Sequence, residues 1–180
     1  METNLFDKQT AFIVADMIND FVRPGGALLV EGAAGLIPAV RRGLQAAHAA
    51  GAMVIYMVDS HRPDDHEFAV WPPHGLPGSW GREIVEELTP QPEDVVLPKR
   101  RFSSFFGTEL DIVLREHGIR RVVLAGVLTD ICVYHTAVDA FQLNYEVAIA
   151  ENAVAAATSE DHDYALRQAK RLLQARIVAL

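Results

Sequence analysis

Short apolar runs alternate along the chain with longer segments in which apolar residues recur every three or four positions. The runs contain four to seven residues, are rich in valine, isoleucine and alanine, and mostly lack polar residues, as strands covered on both faces do. This alternation is typical of βαβ units and predicts a parallel sheet with helices on both faces. We predict six strands, at residues 11–15, 52–58, 94–97, 121–125, 146–150 and 175–178.

Five segments between the runs have helical periodicity. The first is followed by Gly51, which is suited to ending a helix, and the last opens with Ser159 and two acidic residues that favour the positive end of a helix dipole. The predicted helices are residues 36–50, 82–88, 109–117, 131–143 and 159–173. With 180 residues and no internal repeat, the pattern predicts one domain over residues 1–180, a doubly wound three-layer α/β sandwich with a six-stranded, mainly parallel sheet.

Charge and composition narrow the class of function. The formal net charge is -8, and no basic run is longer than residues 99–101, which argues against a nucleic-acid partner. The apolar runs are far shorter than the roughly 20 residues of a membrane span, and the first residues lack the pattern of an export signal. We therefore expect a cytoplasmic protein without a membrane partner. The only cysteine, Cys132, cannot form an internal disulfide and serves either packing or chemistry.

Residues 60–81 fit neither the strand period nor the helix period. They contain four prolines, three histidines and two tryptophans, which predicts an irregular loop. Because long irregular loops inside compact domains are usually functional, we expect this segment to contribute to a site.

Polar residues follow four of the predicted strands at the point where each strand ends. Asp16 follows the first strand, Asp59 and His61 the second and Lys99 the third, while Cys132 lies in the segment after the fourth. Because ligands bind beyond the carboxyl ends of parallel strands, these side chains are candidates for a common site. Each also has a simpler explanation. A lone cysteine is more often a packed apolar side chain, and Asp16 with Lys99 would make an ordinary surface ion pair.

The position of Cys132 favours a nucleophile. Thr129 or Asp130 can cap a helix that starts near Ile131, which places Cys132 in the first turn, where the helix dipole lowers the pKa of a thiol. The preceding turn at residues 126–129 would direct backbone amides at the same point, ready to bind the oxyanion of a tetrahedral intermediate. A buried carboxylate can move the protons that cysteine hydrolysis requires, and a nearby ammonium stabilises the thiolate.

Three motifs in this chain resemble those of the isochorismatase-like cysteine hydrolases and, within that family, of the nicotinamidases. They are ADMINDF at residues 15–21, PKRRFSSF at residues 98–105 and GVLTDICV at residues 126–133. The resemblance covers nearly the whole chain. It implies that Asp16, Lys99 and Cys132 form a catalytic triad and that the amides of Leu128 and Cys132 form the oxyanion hole. It also implies a cis peptide bond between Val127 and Leu128.

The loop that begins at Asp59 and ends near residue 81 is similar to the metal motif of nicotinamidases, which hold a divalent ion with one aspartate and two histidines. The resemblance implies Asp59, His61 and His74 as ligands, with Glu67 and, more remotely, His66 as further candidates. One carboxylate and two imidazoles suit zinc, iron or manganese, of which we expect zinc, and no organic cofactor is implied. The alternative is a solvated loop that contains histidines by chance.

In such a site the metal would bind a pyridine nitrogen, and the resemblance implies aromatic walls for a flat ring at Phe21, Trp71 and Phe102. Phe102 replaces a tyrosine and Gly75 a cysteine that are common in nicotinamidases, which leaves the exact substrate open. The implied reaction is hydrolysis of nicotinamide to nicotinate and ammonia through a cysteine thioester, with pyrazinamide as a second substrate.

Two alternatives to this function stay open. One is a related hydrolase that acts on another small amide, a carbamoyl compound or an enol ether such as isochorismate. The other is a binding module that keeps the fold without the chemistry, because a fold alone does not establish function. The resemblance also implies a homo-oligomer, since dimers and tetramers are usual among similar proteins.

Overall fold

A computed structural model describes residues 4–180, which form a six-stranded sheet with every strand pair parallel. The strands are β1 (Thr10–Ala15), β2 (Met53–Asp59), β3 (Val95–Lys99), β4 (Arg121–Val127), β5 (Glu146–Ala155) and β6 (Arg176–Val178). The α-helices are α1 (Asn19–Val22), α2 (Ile37–Ala50), α3 (Leu110–Glu116), α4 (Tyr134–Gln142) and α5 (Ser159–Leu172).

The order of the strands places a crevice between β1 and β4. The sheet has the order β3-β2-β1-β4-β5-β6, so the chain moves outward from β1 to β3 and returns to the other side of β1 at β4. In open parallel sheets, the carboxyl ends of two strands at such a change of direction border a ligand-binding crevice. The residues that follow β1 and β4 therefore lie at the expected position of a site.

Two apolar clusters cover the two faces of the sheet. On one face, alternate strand residues such as Phe12 and Val14 pack with the buried side of α2. On the other face, Ile13 and Met57 pack with buried residues of α3, α4 and α5. The predicted doubly wound, three-layer α/β fold is therefore confirmed, and the sheet is parallel throughout.

The ends of the two longest helices follow from local sequence. Gly51 ends α2 in the left-handed conformation, with φ of 67°, and its N–H donates to the carbonyl oxygens of Ala47 and His48. The hydroxyl of Thr158 caps α5 by accepting a hydrogen bond from the Asp161 N–H at 3.1 Å. Between residues 4 and 180, none of the helices has the length and apolarity that a membrane crossing requires.

The predicted helix at residues 82–88 is wrong. The segment instead has two short 3-10 turns, at Trp80–Arg82 and Glu86–Leu88. Between them, Ile84 forms an antiparallel bridge with Ile18, and the Val85 N–H donates to the Met17 carbonyl oxygen at 3.0 Å. These backbone groups bond to the segment that follows β1 rather than to one another, so no continuous helix forms.

Two strands, β4 and β5, extend past their predicted ends by two and five residues. β4 continues to Val127 and β5 to Ala155, with a shift in their pairing register between Leu124 and Gly126. The polar, exposed pair at residues 151–152 interrupts the apolar run of β5, which is why the sequence pattern ended the strand early. The extension carries β4 up to the turn that contains Cys132.

Candidate active site

Buried charged residues lie at the carboxyl ends of three neighbouring strands. Asp16 directly follows β1, Asp59 is the last residue of β2 and Lys99 is the last residue of β3. Cys132 lies in the turn after β4 and is 5% exposed. The side chains of Asp16 and Lys99 are fully buried, so the alternative of a surface ion pair between them is wrong.

The ammonium group of Lys99 is the centre of this cluster. Its Nζ atom lies 2.8 Å from Asp16 Oδ2, 2.5 Å from Asp59 Oδ1 and 3.5 Å from Cys132 Sγ. It also donates to the carbonyl oxygen of Arg101 at 3.2 Å. One buried cation therefore faces two carboxylates and a thiol, and the three predicted triad residues lie together.

Burial and these charges shift the pKa of each group. Burial and repulsion by Asp59 raise the pKa of Asp16 to about 6, against the opposing effect of Lys99. Burial lowers the pKa of Lys99, but the two carboxylates raise it more and hold it well above its usual value. Burial raises the pKa of the Cys132 thiol well above its usual range, and Lys99 offsets this only in part. The predicted lowering of the thiol pKa is therefore wrong, because burial and the two carboxylates outweigh the charge of Lys99.

The backbone around Asp16 is tightly constrained. Asp16 has φ of 56°, its N–H donates to the Met57 carbonyl oxygen, and its Oδ1 accepts from the Asp59 N–H, both at 2.9 Å. Gly126 on the neighbouring strand has φ of 109°, and a Cβ there would lie 1.9 Å from the carbonyl oxygen of Ala15. Only glycine therefore lets β4 approach the residue that precedes Asp16.

The turn that carries the cysteine differs from the predicted helix start. Thr129–Val133 form a π-helical turn ahead of α4, and the N-cap position is Leu128. Neither Thr129 nor Asp130 caps the helix, which corrects the prediction. Thr129 Oγ1 is instead hydrogen-bonded to Nδ1 of His162 on α5 at 3.0 Å. This contact ties the turn to a second helix.

Asp59, His61 and His74 form a buried cluster whose ligand atoms all lie within 4.8 Å of one another. The Nε2 atoms of His61 and His74 lie 3.5 and 3.4 Å from Asp59 Oδ2. A tetrahedral ion bound at about 2.0–2.1 Å to each ligand separates the ligand atoms by about 3.3–3.4 Å. The two distances between a histidine and Asp59 therefore match those around a zinc-like ion.

The second ring nitrogen of each histidine is already engaged. His74 Nδ1 lies 2.8 Å from the carbonyl oxygen of Pro72, and His61 Nδ1 lies 3.1 Å from Asp65 Oδ2. Both partners are acceptors, so each Nδ1 carries a hydrogen and each Nε2 is left to bind a cation. Burial lowers the pKa of His61 and of His74, but their hydrogen bonds and neighbouring charges, those of Asp59 first, raise both pKa values above the usual one. The same carboxylate would attract a metal ion.

The two further candidate ligands have different surroundings. Glu67 has a 12% exposed side chain, and its Oε2 lies 3.6 Å from Arg101 Nη1. It belongs to a second cluster with His61 and Asp65, so its role as a ligand of the same ion stays a prediction. His66 is exposed and belongs to neither cluster, so the structure does not bring it to the other candidate ligands.

A cavity of about 450 Å³ joins the cysteine to the metal-ligand cluster. Cys132, Asp59 and His74 contribute to its wall. The predicted aromatic residues line the same cavity: Phe21, Trp71 and Phe102. A flat ring held between these side chains would therefore contact both the thiol and the cluster.

The expected oxyanion hole lies at the same cavity. The peptide bond between Val127 and Leu128 is cis, as the resemblance implies. Leu128 and Cys132 both line the cavity. The donation of hydrogen bonds by their amides to a substrate oxygen stays a prediction.

Sequence reasoning missed the residues that hold the metal-site loop in place. Asp20 Oδ2 accepts a hydrogen bond from the Gly75 N–H at 2.9 Å, and the Gly75 carbonyl oxygen accepts from the His61 N–H at 3.1 Å. Gly75 has φ of 57°, and a Cβ there would lie 2.8 Å from the Asp59 carbonyl oxygen. Glycine at this position therefore avoids a close contact with the backbone of Asp59. The only sequence signal for this contact was Asp20, the second acidic residue of the ADMINDF motif, and the sequence alone does not show which group it contacts.

Comparison with known proteins agrees with the fold. The family model described as Isochorismatase domain matches residues 10–179. The nicotinamidase of Bacillus subtilis is 37% identical, with a TM-score of 0.88 over 94% of this chain and 99% of that one. The N-carbamoylsarcosine amidase of Thermoplasma acidophilum is also 37% identical, with a TM-score of 0.88 over 95% of this chain and 96% of that one.

A third similar structure contains a metal. The pyrazinamidase of Pyrococcus horikoshii in complex with zinc is 32% identical, with a TM-score of 0.91 over 96% of this chain and 99% of that one. Because the family model spans almost the entire described chain and these identities exceed 30%, the protein belongs to the isochorismatase-like hydrolase family.

Proposed function

We propose that this protein is a metal-dependent nicotinamidase, which hydrolyses nicotinamide to nicotinate and ammonia and also accepts pyrazinamide. One observation carries the proposal: Cys132, Asp59 and His74 line a single cavity together with three aromatic side chains. A nucleophile for an acyl group, a cation site for a ring nitrogen and flat walls for the ring are the features that this substrate requires. Similarity to a nicotinamidase and to a zinc-bound pyrazinamidase supports it.

The charge of the cavity wall favours a neutral amide over the substrates of other family members. Glu31, Glu67 and Asp130 line the cavity beside Asp59, whose charge Lys99 offsets, and no lysine or arginine from residues 4–180 joins them in its wall. N-carbamoylsarcosine and isochorismate carry carboxylates, which this wall would repel, whereas nicotinamide is uncharged. The nicotinate product is an anion, so the same repulsion would help its release.

In the proposed reaction, Cys132 is the nucleophile and Asp16 moves the protons. Asp16 takes the thiol proton, and the sulfur forms a bond to the amide carbonyl carbon while the amides of Leu128 and Cys132 donate to the oxyanion. Asp16 returns its proton to the amide nitrogen, the C–N bond breaks and ammonia leaves a thioester. Water loses a proton to Asp16, attacks the thioester and breaks the C–S bond. The product ionises and leaves as nicotinate, and Asp16 returns the proton it took from water to the sulfur.

Lys99 and the metal ligands have separate roles in this proposal. Lys99 lies 3.5 Å from Cys132 Sγ, where its charge stabilises the thiolate and holds Asp16 in position. Asp59, His61 and His74 would hold the divalent ion. When bound, that ion supplies a Lewis-acidic contact for the pyridine nitrogen, which orients the carboxamide toward the thiol.

The test is ammonia release by the purified protein from nicotinamide and N-carbamoylsarcosine side by side. We expect release from nicotinamide that chelation abolishes and that zinc, iron or manganese restores. Release from N-carbamoylsarcosine alone would assign the protein to another amide class of the family. Activity on nicotinamide that chelation leaves unchanged would refute the role of the metal ion. A protein that binds nicotinamide but releases ammonia from neither amide, with any of the three metals, would favour a binding module.

A further inference from the structure

We propose that Asp65 is a positioning residue that presents the Nε2 atom of His61 to the metal ion. The inference rests on the metal site proposed above and not on the identity of the amide. Asp65 lies in the metal-site loop between two candidate ligands, His61 and Glu67, and its side chain is fully buried. A buried carboxylate in a loop otherwise rich in exposed residues needs partners, and the structure gives it four.

The contact between Asp65 and the imidazole fixes the hydrogen on one ring nitrogen. Oδ2 of Asp65 lies 3.1 Å from His61 Nδ1, and because a carboxylate can only accept, Nδ1 must carry the hydrogen. On the opposite side of the ring, Nε2 is buried without a hydrogen-bond partner among residues 4–180 and lies 3.5 Å from Asp59 Oδ2. The unpartnered nitrogen therefore faces the metal-ligand cluster, in the arrangement of a carboxylate–histidine–metal triad.

Two arginines keep Asp65 charged and anchored. Arg100 Nη2 lies 3.0 Å from Oδ2, and Arg101 Nη1 lies 3.1 Å from Oδ1. These residues directly follow Lys99, so Asp65 connects the metal-site loop to the segment that carries the catalytic ammonium. Asp65 also belongs to a cluster with His61 and Glu67 that could hold an ion. Its two guanidinium partners already occupy both oxygens, which favours a supporting role over a role as a ligand.

Asp65 also has a structural task that the test must separate from positioning. Its Oδ1 accepts a hydrogen bond from the Glu67 N–H at 3.1 Å and caps the 3-10 turn His66–Ala69. Asparagine is an equally good cap, so Asp65→Asn retains this bond. If Oδ1 of the asparagine caps the turn, its NH2 group meets the His61 Nδ1–H, and two donors face each other. The variant therefore keeps the cap but loses the hydrogen bond from His61 Nδ1.

The experiment is titration of metal-free protein with Co²⁺ and Zn²⁺, read from the Co²⁺ absorption bands and by competition with a chromophoric chelator. We expect Asp65→Asn to bind both ions about 10- to 100-fold more weakly, as for other carboxylates that hydrogen-bond a metal-ligating histidine, with changed Co²⁺ bands. Asp64→Asn is the matched control, since Asp64 is adjacent, exposed and paired only with the exposed Arg62 in the described chain. It should bind as the wild type does.

A second measurement needs no variant. Long-range ¹H–¹⁵N NMR of the zinc-loaded wild-type protein should show His61 with a hydrogen on Nδ1 and the metal on Nε2. Metal bound through Nδ1, or Asp65→Asn affinities within twofold of wild type, would overturn the role of Asp65. A purely structural role would lower the melting temperature of metal-free Asp65→Asn without changing metal affinity. Wild-type protein that binds no divalent ion would overturn the metal site as well, whereas failure to hydrolyse nicotinamide would leave the inference intact.

Discussion

Replacement of Lys99 by methionine tests whether one ammonium holds the site together. The substitution keeps an unbranched side chain of similar length but removes the charge that lies 2.8 Å from Asp16 and 2.5 Å from Asp59. Two buried carboxylates then face each other without a counter-ion. Removing one partner of a buried ion pair destabilises a protein by about 3–5 kcal/mol. For a chain of this size, about 2–4 °C per kcal/mol gives a fall in melting temperature of about 6–20 °C.

The assay is thermal and urea unfolding of the metal-free protein, with two comparisons. Arg62→Met removes a guanidinium from an exposed pair with Asp64, and we expect a change within about 0.5 kcal/mol. Lys99→Met should also be less destabilising in an Asp16→Asn background, because one carboxylate is already gone. The expected coupling free energy between the two substitutions is about 0.5–3 kcal/mol.

The same variant should lose activity by at least about 10²-fold, since neither the thiolate nor Asp16 keeps its cationic neighbour. A Lys99→Met protein as stable as wild type, or one whose destabilisation is unchanged by Asp16→Asn, would refute the reasoning. Either result would mean that the contacts of the ammonium do not hold the two carboxylates in their buried positions.

Three further substitutions give distinct expectations. Cys132→Ala should abolish ammonia release while calorimetry still detects nicotinamide binding, and retained turnover would exclude the thiol as the nucleophile. Gly75→Ala should lower stability by about 1–2 kcal/mol or more in urea unfolding, because φ is positive and the Cβ has no room. Gly78→Ala is its control, with positive φ but open space, and should be less destabilising. Thr129→Val should lose the bond to His162, about 1 kcal/mol of stability and part of kcat, which unfolding and steady-state kinetics measure together.

The fold and the charged residues at the ends of the strands could be predicted because the signals that determine them are local. The strands are runs of apolar residues, and the parallel topology brings their carboxyl ends to one edge whatever the loops do. Asp16, Asp59 and Lys99 therefore appear in the sequence as polar residues at strand ends. The helix at residues 82–88 failed for the opposite reason. Its backbone groups bond to a segment more than 60 residues earlier, at Met17 and Asn19, and no local pattern records that pairing.

The pKa of Cys132 could not be predicted for a similar reason. The sequence places the thiol in the first turn of a helix, where the dipole favours a thiolate. It does not reveal how deeply Cys132 is buried, and burial is the largest effect that raises the pKa of the thiol. Asp65 was missed because its partners come from two separate loops, and only the folded chain brings Arg100 and Arg101 to it.

The two halves of the site share one carboxylate, which limits how they can be separated by mutation. Asp59 Oδ1 contacts Lys99, and Asp59 Oδ2 faces the Nε2 atoms of His61 and His74. A substitution at Asp59 would therefore remove a proposed metal ligand and also change the charge around the ammonium that lies beside Cys132. A loss of activity in such a variant has two causes that kinetics alone cannot distinguish. His74 and Lys99 both contact Asp59, but through different oxygens. Replacement of His74 should therefore weaken the metal site and leave the ion pair of Lys99 with Asp16 in place.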